Sequence, residues 1–150
     1  MKASKLLRTN NNMDTISSVG VLVIHHKKVL LVRHEEAASH QTGTYGLPSG
    51  RLEENETYKQ AAVRELREET GLITSEADLI DYSSNHFLAD IKRKSGKIER
   101  FSWKVFICNR YYGQLLPTAE VTPEWVEIDR LKYYNLLPNV LEVVEREIKW

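Results

Sequence analysis

The sequence holds one cysteine, Cys108, in 150 residues. A lone thiol excludes an internal disulfide and a thiolate metal cluster, and it fits a reducing, cytoplasmic location. There is no charge excess either, since 21 basic residues face 21 acidic ones. A general nucleic-acid coat needs a basic surplus, so stable nucleic-acid binding is not expected. No run approaches the roughly 18 apolar residues of a membrane helix. The longest, at 19–24 and 29–32, are strand-sized. The first twelve residues, MKASKLLRTNNN, lack the apolar stretch and cleavage site of a secretory signal. They read as a flexible arm or an added leader, with Met13 as an alternative start. Residues 13–150 then form one domain. No internal repeat is visible. What is present, 41% hydrophobic and 28% charged residues, is the composition of a globular domain.

The apolar patterning predicts strands over 18–25 and 28–33, with His26 and Lys27 at the turn between them. Both are rich in Val, Leu and Ile over consecutive positions, which suits central strands covered on both faces. Further strands are predicted over 79–88, 98–108 and 124–128, with Ser95, Gly96 and Lys97 turning the chain between the first two. Asp129 is expected to cap a helical turn reaching Leu136. Pro138 suits the first turn of a closing helix over 138–149 that carries Val140, Leu141, Val144 and Ile148. Strands interleaved with two helices give an α/β class, a mixed sheet covered by helices. Six basic residues lie between Lys92 and Lys104, against Asp90 and Glu99. They read either as a solvated hairpin tip or as a rim that attracts phosphates.

The informative segment is GRLEENETYKQAAVRELREETGL, residues 50–72. Its second half predicts a helix over 57–70, capped by Thr57 or Asn55 and stopped by Gly71. Ala62, Val63 and Leu66 share one flank that can dock on a sheet. Glu65 and Glu69 stand one turn apart with Glu68 beside them, and like charges at that spacing repel. Arg64 lies next to Glu68 and can reach back to Glu56. A hard divalent ion would compensate the remaining negative charge, because Mg²⁺ prefers oxygen ligands and carries phosphates with it. The preceding GTYGLPSG bends the backbone at Pro48 and Gly50, so that the Gly50 carbonyl can face the same ion.

Gly50, five residues, Glu56, seven residues, then Arg64-Glu65-Leu66-Arg67-Glu68-Glu69-Thr70-Gly71-Leu72 resembles the Nudix box at every fixed position. The resemblance implies an α/β/α sandwich around a mixed sheet, with the box as loop-helix-loop. It implies hydrolysis of a nucleoside diphosphate linked to another group, with Mg²⁺ or Mn²⁺ as cofactor. Glu65, Glu68 and Glu69, helped by the Gly50 carbonyl, are then the metal ligands, and Glu56 with Arg64 is a structural ion pair. Many relatives carry Gly-Gly where this chain has Ser49-Gly50. Tyr45 matches an aromatic that commonly precedes the Leu-Pro pair. For the proton acceptor the candidates are Glu65 itself and, from a later loop, Glu120 or Glu124.

A base needs stacking and polar contacts from outside the box. Phe101 and Trp103, sharing one strand face, are candidates, as are Tyr82, Phe87 and Trp125. Arg33, His34 and Arg51 are placed to meet phosphates, with Arg100 and Lys104 as weaker cases. The small chain resembles the MutT-like branch, which implies a nucleoside triphosphate substrate, an oxidised one included, giving a monophosphate and pyrophosphate. ADP-ribose or another nucleotide sugar, a dinucleoside polyphosphate, and a noncatalytic nucleotide-binding module are the alternatives. The expected partner is thus a small nucleotide, not a membrane, for a monomer or homodimer.

Overall fold

The computed structural model describes the backbone of residues 6–8 and the whole of residues 14–148. Its strands are β1 (Leu6–Arg8), β2 (Asp14–Leu22), β3 (Ile24–His25), β4 (Lys28–His34), β5 (Tyr45–Gly46), β6 (Ser49–Arg51), β7 (Leu79–Asp81), β8 (Phe87–Lys92), β9 (Ile98–Cys108) and β10 (Val121–Glu127). Two helices, α1 (Tyr58–Thr70) and α2 (Val140–Ile148), complete the set with two 3₁₀ turns, Glu76–Asp78 and Ile128–Tyr133. The strand β1 falls inside the stretch read as an arm and pairs antiparallel with β2. The remainder of that stretch, with Met13, and also Lys149 and Trp150, lie outside the described residues.

The strands form two hydrogen-bonded sheets. In the larger, β2 runs parallel to β9, and β1, β6, β7 and β8 join antiparallel. In the smaller, β4 lies between β10 and the short β3 and β5, all antiparallel. Strand alternation then divides the side chains between two layers. Val19, Val21, Leu30, Phe106 and Cys108 pack with Ala61, Ala62 and Leu66 of α1. Leu22, Val29, Leu31, Trp103 and Val105 pack with Val140, Val143 and Val144 of α2. The expected α/β/α sandwich is therefore present, with its strand layer split into two sheets. No helix among the described residues is long and apolar enough to cross a membrane.

The box helix is fixed by local chemistry at both ends. The Thr57 hydroxyl accepts the Gln60 amide at 3.1 Å and the Gln60 side chain accepts the Thr57 amide at 2.9 Å, a reciprocal cap. Thr57, not Asn55, is thus the cap. At the other end Gly71 takes φ +86°, and a β-carbon there would meet the Gln114 carbonyl at 2.6 Å.

Four expectations shift. The 79–88 strand breaks into β7 and β8: the Tyr82 amide still donates to the Val105 carbonyl of β9 at 3.2 Å and its hydroxyl to the Val143 carbonyl at 2.9 Å, and pairing with β9 resumes only at Phe87. The last helix starts at Val140, since Asn139 has φ +74° and cannot belong to it. Asp129 forms no cap, as the turn at Ile128–Tyr133 has no side-chain cap bond. The final strand is also longer than expected, starting at Val121.

Candidate active site

The strand β6 leads from the bend at Pro48 into the loop before α1, and its pairing with β2 fixes Gly50 opposite Val19. The α1 helix packs on both strands through Ala61, Ala62 and Leu66, which turns Glu65 inward. Glu65 is only 2% exposed. A β-carbon on Gly50 would collide with its carboxylate. The glycine is required by that close approach, not by its backbone angles. Gly50→Ala should therefore displace Glu65. Overpacking of this kind costs about 1–3 kcal/mol, and turnover should fall with it. Urea unfolding beside an activity assay checks this, and a variant equal to the parent in both would remove the close-packing argument.

Arg64 organises the acidic face. Its guanidinium donates to both oxygens of Glu56 at 2.6 and 2.8 Å and to the Arg51 carbonyl at 3.0 Å. Its third nitrogen donates to Glu65 at 2.5 Å and to Glu68 at 3.1 Å. Hydrogen bonding to Glu56 chiefly holds its proton more tightly than usual, against the opposing effect of burial. Glu56 in turn accepts the Glu53 amide at 2.8 Å. Glu69 accepts the Ser49 amide at 2.8 Å, so the residue replacing the familiar first glycine contributes its backbone and leaves the acidic face intact.

Among the described residues no group of three carboxylates, imidazoles or thiolates converges as a ready-made ion site. The three glutamates hold oxygens toward Arg64 and Ser49 instead. The donor set nevertheless fits a hard divalent ion: carboxylate oxygens on one helix face, with Gly50 packed against one of them. Glu65, Glu68, Glu69 and the Gly50 carbonyl are the residues that would hold it.

A cavity of about 470 Å³ opens from this face. Glu65, Glu69 and Gly50 line one part of it. Arg51, Phe101, Trp103, His34 and Glu120, all singled out from sequence, line the rest. Glu68 and Glu124 are outside the lining, and so is Arg33. The last is engaged with Glu35 at 3.0 and 3.1 Å. Arg100 pairs with Asp90, and Lys104 with Asp81, as surface charges do. Trp103 is 8% exposed, packed on Phe87 and over Gly20, where a β-carbon would meet its ring at 2.8 Å. Tyr82, Phe87 and Trp125 serve the two cores and do not line the cavity.

Sequence reasoning missed Arg93 and His40, which line the same cavity. No periodicity marks either, because both sit in connections. The His40 ring lies 4.5 Å from His34 and 6.5 Å from Phe101. Its Nδ1 is buried and has no hydrogen-bond partner among the described residues. His34 donates Nδ1–H to the Thr44 carbonyl at 2.9 Å, which fixes its tautomer. Burial, then the charge of His34, hold His40 down to about 3. An unfolded histidine takes its proton near 6.5. Between about 6.5 and 3 the unfolded chain therefore binds a proton that the folded chain refuses. Stability from this group is full above that window and is lost as pH falls, at up to about 1.4 kcal/mol per pH unit. Urea midpoints at pH 7 and pH 5 should separate the parent from His40→Phe, with the parent losing more. Equal losses would remove His40 from the account.

A profile of the NUDIX domain matches residues 14–146, nearly the whole described chain. The chain belongs to the Nudix family. Relatives agree with the box. An 8-oxo-dGTP diphosphatase of Proteus vulgaris is 36% identical over 47% of this chain and 62% of that protein. A CTP pyrophosphohydrolase of Escherichia coli K12 is 29% identical over 89% and 91% of the two chains. Nudix hydrolase 8 of Arabidopsis thaliana is 37% identical over 47% of this chain. The match spans only 19% of that longer protein. Among solved structures, a MutT NUDIX hydrolase from Burkholderia pseudomallei superposes with a TM-score of 0.70 over 86% of this chain and 95% of that one, at 19% identity. The fold thus persists at 19% identity.

Proposed function

We propose that this Nudix chain hydrolyses a nucleoside triphosphate, oxidised or not, to a nucleoside monophosphate and pyrophosphate, with Mg²⁺ or Mn²⁺. The observation that carries the reading is one cavity lined both by box glutamates, Glu65 and Glu69, and by Arg51 and aromatic walls. The relatives point the same way, since the Proteus protein is an 8-oxo-dGTP diphosphatase and the E. coli protein a CTP pyrophosphohydrolase.

A bound divalent ion would neutralise phosphate oxygens and lower the proton affinity of a water near them. The chain's own part is to hold the carboxylates in place through Arg64, to set Arg51 beside the phosphates, and to accept a proton. Glu65 is a poor acceptor while hydrogen-bonded to a guanidinium. Glu120 lines the cavity outside the Arg64 network, on a turn where the Thr118 hydroxyl accepts the amides of Glu120 and Val121 at 3.2 and 3.1 Å. Glu124 sits inside β10, off the cavity. Glu120 is therefore the proton acceptor in this reading, with a contribution of about 10²–10⁴-fold.

The test is turnover of nucleoside triphosphates, oxidised triphosphates, ADP-ribose and dinucleoside polyphosphates with Mg²⁺, ranked by kcat/KM. A triphosphate is expected first. ADP-ribose in that place would overturn the substrate, and no turnover of any would overturn the hydrolase. Glu120→Gln should lose most of the rate and Glu124→Gln little, and the reverse order would exchange their roles.

A further inference from the structure

The basic part of the cavity has a construction that the box does not explain. Arg93, just past β8, lines it with a side chain that is only 13% exposed. Three neighbours fix that group. Nη1 donates to Glu99 at 3.0 Å, Nε donates to the Ser39 carbonyl at 3.4 Å, and the guanidinium carbon stands 5.6 Å from the Phe101 ring centre. Arg51 donates to the same Glu99 carboxylate at 3.1 and 3.2 Å and stands at the same 5.6 Å from Phe101. Two guanidiniums thus converge on one carboxylate beside the same cavity. Burial, together with the nearby Arg51 charge, pulls the Arg93 pKa below its ordinary value, the sign of a cation held where it lacks solvent. The neighbouring histidines add no negative charge. The Phe101 ring has guanidinium and imidazole neighbours and is 7% exposed, so little of it remains for a base to stack on.

The mounting is also rigid. The Lys94 ammonium donates to the carbonyls of Glu35 and Glu36 at 3.1 and 2.6 Å, and the Lys94 amide donates to Ser39 at 3.1 Å. The hairpin carrying Arg93 is thereby tied to the loop carrying His40. A planar fork held in place gives up little freedom when it takes an oxyanion.

Resting on the hydrolase reading above, we infer that Arg93 and Arg51 form a subsite for the terminal phosphate of the substrate, away from the box carboxylates. The cavity then measures phosphate number: a nucleotide with a free terminal phosphate engages both its acidic and its basic parts. A nucleotide sugar, whose phosphates are all internal, engages only one.

Inorganic tripolyphosphate tests this without turnover. Calorimetric titration in EDTA, with no divalent ion, should register binding to the parent protein. Arg93→Gln should weaken it about 10- to 100-fold, the worth of a hydrogen bond to a charged group. Arg93→Lys keeps the charge without the fork and should fall between. It also serves as the reading variant if Arg93→Gln does not fold. In the turnover assay Arg93→Gln should raise KM for a triphosphate more than it lowers kcat, and leave KM for ADP-ribose in place. Failure of the parent to bind tripolyphosphate, or equal binding by parent and both variants, would overturn the subsite. Arg93-dependent tripolyphosphate binding in a protein that hydrolyses no nucleotide would keep the subsite and overturn the hydrolase.

Discussion

Glu65→Gln is expected to lower kcat/KM by about 10²–10³-fold, because a neutral amide holds the proposed divalent ion more weakly than a carboxylate does, and losing one fixed electrostatic contact at a reacting centre usually costs that much. The substitution keeps size and shape and changes only charge and hydrogen-bonding pattern. That matters because Gly50 leaves no space for a larger or displaced group. Arg64 would lose the anionic end of its 2.5 Å bond. A charge-assisted bond is worth about 1.5–3 kcal/mol, so a modest fall in stability should accompany the loss of rate. Glu68→Gln is the comparison. Its carboxylate side chain is 39% exposed and outside the cavity lining, so both its rate and its stability losses should be smaller. Saturation with Mg²⁺ or Mn²⁺ at fixed substrate separates weaker ion binding from slower chemistry. Full turnover in Glu65→Gln would remove the central carboxylate from the mechanism.

How much of this was legible in the sequence follows from how local each signal is. The Gly71 stop and a cap at Thr57 or Asn55 depend on residues within one turn, which leaves the choice of cap open until the structure selects Thr57; the Glu56–Arg64 pair joins the loop to the helix within the same short segment. The β9 strand was legible end to end, since Phe101, Trp103 and Val105 alternate with polar residues and an apolar run follows to Cys108. The break between β7 and β8 was missed, although the turn-forming residues Ser83, Ser84 and Asn85 lie at it. The start of α2 was obscured for a different reason: one asparagine with positive φ outweighs the preference of Pro138 for a first turn. In the site, the acidic face was readable and the basic part was not. Arg93 reaches the cavity because a hairpin and a loop far apart in sequence are bonded to each other through Ser39 and Lys94. Within that basic hairpin Arg100 and Lys104 have the acidic partners Asp90 and Asp81, whereas Arg93 faces the cavity. Glu120 and Glu124, equivalent in sequence, are separated by strand geometry. One precedes β10 at the cavity, and the other is fixed in register opposite Leu31.

Arg64→Met should cost about 3–5 kcal/mol, the penalty for removing one member of a buried ionic network. Glu65 is 2% exposed and the Glu56 side chain 11%, so neither carboxylate can recover its hydration in place. Against a total stability of about 5–15 kcal/mol this is a large fraction. For a chain of this size it corresponds to a fall in Tm of roughly 10 °C. Arg64→Lys should recover only part of the loss, since a single ammonium cannot span both Glu56 oxygens, the Arg51 carbonyl and Glu65 together. The same contacts imply an opposite effect on ion binding. One Arg64 nitrogen occupies oxygens of Glu65 and Glu68 that the proposed ion would also need. Removing it should lower metal-free stability and at the same time increase the stabilisation that Mg²⁺ confers, because a ligand that binds only the folded state raises stability by mass action. Thermal unfolding of parent and variant across a Mg²⁺ series reads both quantities. A variant with unchanged metal-free Tm would contradict the structural role of Arg64. One whose Tm drops but does not respond to Mg²⁺ would contradict the placement of the ion on these glutamates.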